Sequence, residues 1–473
     1  MFFSKSKKLI IFSILTYLVV IYFFTKEFKS SLIPSKEYIN LYLIYLILLI
    51  NVTPLVFYCY SDNEKYNLPI FYLSLIYFLF SYTLFFISNS WNIFTDHGLE
   101  GHKKAIEVFF LAITFYNFGY YAFYSIIKKN KNSLKLFEID KDFELLLLGI
   151  LTVLGVIIFY YVIDLSKFIN GIQQIKYPLL YFSYGVLVLY IFNNKEKISL
   201  YLKVLLFILI LIPIYFDIIA GAFFTPFISL FITLTFYIFL RKKITALNIL
   251  SMTVLLMIFI LIIPIKRDYR NATWKVTKIN FIDKTLIYKS ELFKNLNKFD
   301  FADDFNKRTI RRIFHSYESL IIVSSKTPSE VDFWKGESYK ILASKIIPRI
   351  FWKNKPSDEL GNAFGKRYGI ISEKNHSTSW NMPVLNEFYV NYGLKGVMIG
   401  MFLMGLLFRF LSTYFSIQSN NNIEKIVSYY LIIPLFFLES HLSLLFGAVF
   451  QSYIFLLIFF ILYKKVFKYL KII

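Results

Sequence analysis

Leu255-Leu256-Met257-Ile258-Phe259-Ile260-Leu261-Ile262-Ile263-Pro264-Ile265-Lys266-Arg267-Asp268-Tyr269-Arg270 is where this chain changes character. An aliphatic run ends at Ile265, and the next five positions carry three cations and an acid. From Lys266 to Tyr392 the chain is rich in Arg, Lys, Asp and Glu, the composition of a water-facing domain. On either side, hydrophobic segments follow one another with hardly a break. The reading therefore has three parts: 1–265 with nine transmembrane helices, 266–392 as a loop domain, and 393–473 with three more helices and a tail.

The whole chain supports that division. It has 473 residues, of which 57% are hydrophobic, 21% aromatic and only 17% charged, with a mean hydropathy of +0.57. That is too apolar for a soluble protein and fits a polytopic membrane protein. The net charge of +22 would point to nucleic acid in a soluble domain. In a membrane protein, a surplus of Lys and Arg belongs to loops on the cytoplasmic side, so no nucleic-acid partner is expected. Cys59 is the only cysteine, which excludes an intrachain disulfide and a cysteine-based metal cluster.

Apolar runs of spanning length occur near 9–25, 38–60, 69–88, 105–127, 143–163, 178–193, 199–219, 222–240, 244–265, 394–414, 425–440 and 445–463, about twelve spans. Leu9 to Phe24 follows Lys5, Lys7 and Lys8 but has no small-residue cleavage site after it, so it reads as a retained span. Lys128, Lys129, Lys131 and Lys135, then Lys195 and Lys197, then Arg241, Lys242 and Lys243, and the tail lysines all fall on one side. By the positive-inside rule, both termini are cytoplasmic and the 266–392 domain is extracytoplasmic. Loops longer than about 60 residues cross largely regardless of charge, so the basic character of this one calls for another explanation. No alternating strand pattern appears, and the expected fold is all-α: a transmembrane bundle bearing one large, mostly helical loop domain.

Within that domain, Lys284 to Phe299 has the pattern of an amphipathic helix at the membrane surface. Arg308, Arg311, Arg312 and His315 recur at i, i+3, i+4 and i+7, one face of a helix over 308–325. The plain account is a solvated face that attracts anionic headgroups. The sharper one is a diphosphate clamp, because guanidinium forks bind phosphate oxygens bidentately and keep their charge. Arg267 and Arg270 stand at the depth of a lipid phosphate, although helix ends are commonly anchored by snorkelling cations. Pro348 and Pro356 bracket Arg349, Trp352 and Lys355, as in a rigid loop presenting charge. Arg367 lies amid Gly361, Gly365 and Gly369, which lack the strand and the Gly-Lys-Ser/Thr of a phosphate loop. The five histidines have no metal-ligand spacing, and no metal or other cofactor is expected. His315, His376 and Glu387 are the candidates for activating a hydroxyl. Glu439 and His441, in the last outer hairpin, are costly near lipid, while a short exposed turn would explain them equally. Asp164 and Asp217 fall at span ends, where hydration is the simpler account.

The layout and several local motifs resemble the Wzy-type O-antigen or capsular repeat-unit polymerases, membrane glycosyltransferases of the GT-C kind. The motifs are Arg308 to His315; Thr327-Pro328 followed by Trp334-Lys335-Gly336-Glu337-Ser338-Tyr339; Pro348-Arg349-x-x-Trp352-x-x-Lys355-Pro356; and Glu387-x-Tyr389-x-Asn391-Tyr392-Gly393 with Gly396 and Gly400. The resemblance implies a bacterial cytoplasmic (inner) membrane enzyme that polymerises undecaprenyl-diphosphate-linked oligosaccharide repeat units, with membrane lipids and a chain-length regulator protein as further partners. It implies that Arg267, Arg270, Arg308, Arg311, Arg312, Arg349, Lys355 and Arg367 are the pool that binds diphosphate, and that Glu387, His315 or His376 handles the acceptor hydroxyl. An O-antigen ligase acting on lipid A core is the alternative within the same chemistry. A flippase for the same lipid-linked sugar ranks lower, because transporters carry charges near the bilayer midplane and these spans are nearly free of ionisable residues.

Overall fold

The computed structural model describes residues 38–60, 67–87, 98–122, 142–165, 172–241, 246–274, 281–297, 311–348, 351–352, 354–356, 358–376, 378–415 and 422–469. The described residues are helices and loops with no strand. The helices are α1 (Tyr38–Tyr60), α2 (70–87), α3 (Gly98–Ala122), α4 (Asp142–Val162), α5 (Gln173–Asn193), α6 (Leu200–Ile219), α7 (Phe224–Arg241) and α8 (Ala246–Trp274). Next come α9 (Phe281–Asn297), α10 (His315–Lys326), α11 (Leu342–Lys345) and α12 (Leu360–Arg367), and then α13 (Val384–Tyr414), α14 (Asn422–Ile432) and α15 (Leu442–Tyr469). Six of them, in α3, α4, α5, α6, α13 and α15, are long and apolar enough to cross a membrane. The chain is thus a membrane-embedded helical protein. The span expected near 9–25 lies outside the described residues.

The central contact is α13 along α3. A Cβ added at Gly405 would strike the carbonyl oxygen of Tyr116, and one at Gly119 that of Phe402, so the two backbones touch where side chains are missing. Small residues of this kind allow apolar helices to approach closely and gain dispersion contacts. Gly405→Leu is expected to force the helices apart and lower the thermal unfolding midpoint in detergent by several degrees; a midpoint within one degree of the parent would contradict this packing.

The polar segment is fused to the helices. One continuous core takes in Phe71, Tyr116 and Val186 together with Tyr317, Phe364 and Leu385. Tyr77 on α2 shares a hydrogen bond with Ser316 (2.8 Å), and His102 on α3 one with Tyr317 (3.0 Å). Helix α9 packs against the end of α6, where Tyr215 donates to Thr285 (3.3 Å) and Phe216 meets Phe281. Its other face exposes Ile282 (70%), Leu286 (59%) and Phe293 (52%), a spacing that puts the three on one strip.

Two local differences from the sequence reading have physical causes. The helix expected over 308–325 is interrupted at Phe314 (φ −96°, ψ 19°), whose ring is buried against Phe85. Arg311 and Arg312 therefore precede α10 rather than extending its face. Helix α13 begins before the expected span and breaks at Tyr392 and Gly393. Gly393 has φ +60° with the Phe333 ring 3.0 Å from where a Cβ would stand, so glycine is needed twice over there.

Candidate functional site

Glu439-Ser440-His441-Leu442-Ser443 runs from the end of the link after α14 and its 3₁₀ extension (Ile433–Phe436) into the first turn of α15. Segments scattered through the polar domain converge on this turn. Its last residues open α15, whose first backbone N–H groups have no helical partner. Leu442 N donates to Glu387 Oε2 (2.7 Å), so the positive end of the helix holds a carboxylate of α13. Ser338 Oγ donates to the other oxygen (2.7 Å). Asn391 Nδ2 donates to Ser338 Oγ (2.9 Å) and to Glu387 O (2.7 Å), while its own Oδ1 accepts from Gly336 N (2.8 Å). Glu387 is fully buried, with both oxygens engaged.

Asp358 forms the second attachment. It takes hydrogen bonds from His441 Nε2 (3.1 Å to each oxygen) and Ser443 Oγ (2.7 Å), and an ion pair from Lys345 Nζ (2.8 Å). Burial alone would raise its pKa, but the hydrogen bonds from His441 and Lys345, the charge on His441 and the Ser443 hydroxyl outweigh it. The carboxyl is held well below the usual carboxylate range. Lys345 also lies against Gly447 of α15, and Gln451 donates to its carbonyl (3.0 Å).

The third attachment carries the cations. Arg312 meets Glu439 with both terminal guanidinium nitrogens, Nη1 to Oε1 at 2.6 Å and Nη2 to Oε2 at 3.2 Å, the fork geometry of a strong charge-assisted pair. Glu439 keeps 5% of its side-chain exposure and Arg312 27%, so the arginine faces an opening and the carboxylate does not. Asn381 Nδ2 also donates to Glu439 (3.1 Å). Lys266 sits nearby: burial first, then Arg270 and Arg312, push its pKa down to about 8, with Glu439 opposing them. Arg270 donates to Gly221 O (2.8 Å) at the turn before α7. Lys266 thus lies within the field of Arg270, Arg312 and Glu439, and a half-buried ammonium beside guanidinium groups is a setting that favours a nearby anion.

His315 lies at the same rim, its ring 4.6 Å from that of Trp380. Burial pushes its pKa down to about 4; Glu439 raises it, and Arg312 lowers it further. At neutral pH it is an uncharged imidazole. As the folded pKa lies below the unfolded value of about 6.5, the unfolded chain binds more protons between pH 6.5 and 4. Stability is therefore present above 6.5 and lost as pH falls through that window. The unfolding midpoint is expected to drop between pH 7 and pH 5 by the equivalent of about 1–2 kcal/mol, and to drop less in His315→Phe; equal drops would remove His315 from this account.

Of the residues singled out from sequence, Arg270, Arg312 and His315 come together here. Arg311 is exposed next to them. Arg367 lies elsewhere, donating to Asp332 O (2.7 Å) and covering the Trp334 ring. Lys355 is buried and donates to Ile347 O (2.7 Å), which gives it a part in holding its own loop. His376 is paired with Lys366 (3.3 Å). Arg308 and Arg349 lie outside the described residues, as does the side chain of Arg267. Sequence reasoning missed the roles of Ser338, Asp358 and Ser443, whose partners lie 49 to 85 positions away, and of Lys345, which pairs with Asp358 within its own domain. It also missed that Asp217 is buried and paired with Lys176, beside the Tyr161 hydroxyl at 2.8 Å.

A family model described as a domain of unknown function (DUF8712) matches residues 115–471, which include every residue of this site. No curated protein and no solved structure matches the chain.

Proposed function

The chain belongs to the DUF8712 family, and from its own residues we propose that it polymerises lipid-linked oligosaccharide repeat units at the outer side of the bacterial cytoplasmic membrane. In this reading the described helices and the segment near 9–25 make about twelve spans, both termini are cytoplasmic, and the polar domain faces outward. The observation that carries it is the Arg312–Glu439 pair, with Lys266 in its field and Arg270 in that of Lys266, where a segment rich in cations meets helices of spanning length.

The reaction joins two undecaprenyl-diphosphate-linked glycans. An acceptor hydroxyl oxygen forms a bond to the anomeric carbon of the growing chain. The bond from that carbon to the diphosphate breaks, and the electron pair leaves on the undecaprenyl diphosphate. Charge developing on the leaving oxygens is met by guanidinium and ammonium groups already in position. Diphosphate taking the Arg312 fork would strip Glu439 of its partner. A buried carboxylate deprived of its cation becomes a better base, and Glu439 is where we place the acceptor's proton. Glu387, with both oxygens held, fixes the junction of α13 and α15. His315, neutral at working pH, orients a hydroxyl by hydrogen bonding.

The test is the surface-polysaccharide ladder on a gel, from cells lacking the gene and cells restored with it. A single-repeat band in the deletion, with the ladder restored, is the expected result. Complete polymer left on its lipid carrier would make the chain a ligase. Repeat units trapped on the cytoplasmic leaflet would make it a transporter, the reading that the buried Lys176–Asp217 pair favours.

A further inference from the structure

A cavity of about 380 Å³ lies between α5, α14 and α15, within the range of small-molecule sites. Tyr177, Tyr181 and Tyr430 form one wall, and Ala448, Gln451 and Ser452 belong to the facing helix. The remaining lining is aliphatic or proline apart from Ser440. Leu444 and Ala448 are exposed at its rim, so it opens sideways onto the surface that faces lipid. From Leu444 to Ser452 it follows α15 for about 12 Å, well under half of a hydrocarbon core of about 30 Å.

Its end at Ser440 stands one residue along the chain from the Arg312–Glu439 pair. Tyr177 also lines the cavity and follows Lys176, which pairs with Asp217 four residues before Gly221, the carbonyl that receives Arg270. A ligand with a charged head at Arg312 would find a mostly apolar slot leading down and out into the bilayer. The leucine, valine, alanine and proline side chains beside the tyrosines suit a hydrocarbon chain.

We propose that this cavity holds the hydrocarbon chain next to the diphosphate of a prenyl-diphosphate lipid, which enters sideways between α5 and α15 with its head at Arg312. The inference rests on the function proposed above and adds the place where the carrier lipid sits.

The full chain in lipid nanodiscs tests it, with undecaprenyl diphosphate and inorganic diphosphate as separate probes. Ala448→Trp and Ser452→Phe, which fill the cavity, are expected to weaken undecaprenyl diphosphate at least tenfold and leave inorganic diphosphate unchanged, whereas Arg312→Ala weakens both. In the unaltered protein, a photoreactive undecaprenyl diphosphate is expected to label α5 or α15, read by mass spectrometry. Folded cavity variants that bind the lipid as the parent does, or labelling confined to other helices, would overturn the cavity assignment; the proposed function would survive if Arg312→Ala still lost both probes. A parent that binds neither diphosphate would overturn both. Competition by a free oligosaccharide but not by the lipid would make the cavity a sugar site and refute the proposal.

Discussion

Asp358→Ala is expected to lower the stability of the folded chain by about 3–5 kcal/mol, the cost of breaking a buried ion pair by removing one partner. The substitution strips Lys345 and His441 of a shared acceptor and leaves the Ser443 hydroxyl without one. Burial deepens the loss, because each group was desolvated against that carboxylate. Asp358→Asn keeps one acceptor oxygen and the shape, and should lose less. Unfolding of the purified chain in detergent, followed by circular dichroism against temperature, gives the measurement. An Asp358→Ala midpoint equal to that of the parent would mean that the turn between α14 and α15 is held by its other attachments alone.

Arg312→Ala is expected to abolish the polysaccharide ladder, a drop of at least a hundredfold in polymer per cell. Arg312→Lys should recover only a small part, because an ammonium cannot reproduce a bidentate fork. The control is Glu439→Gln, which keeps the shape of the Arg312 partner and removes the proposed base. Stability then separates in degree from chemistry. Arg312→Ala leaves a buried carboxylate unpaired and destabilises, whereas Glu439→Gln leaves the more exposed Arg312, which water can still reach, and should cost less. A ladder lost in both, with the Glu439→Gln protein folding as the parent does, supports both roles. A full ladder from Glu439→Gln would remove Glu439 as the base and leave Arg312 as an anion ligand, and a full ladder from Arg312→Ala would end the diphosphate reading.

Hydropathy made the helical, membrane-embedded character legible, because that property is local: every stretch of spanning length reports its own solvent. The break at Gly393 falls where the apolar run of 394–414 was expected to start, since the switch from polar to apolar residues is itself a local signal. The site was legible only by half. Clustered arginines advertised positive charge, but spacing along a chain presumes an unbroken helix, and burying Phe314 ended the helix between Arg312 and His315. Lys355 and Arg367 are as basic as Arg312, yet they serve carbonyl oxygens of nearby loops. What distinguishes Arg312 is Glu439, 127 positions away, and no window over the sequence joins them. Glu439 and His441 were visible as polar residues in an apolar setting, and a solvated turn accounted for them until their partners were in view.

The turn from Glu439 to Ser443 answers to α13, to the Asp358 loop and to the residues ahead of α10 at once. Such a turn cannot drift freely as the family diverges. A chain that exchanges Glu439 for a neutral residue is expected to carry a compensating change at Arg312 or Asn381, and one that loses His441 a change at Asp358 or Lys345. Neighbours such as Ser440, which line the cavity and do not hold the domain, are then the positions at which members of the family can change the cavity without losing their fold.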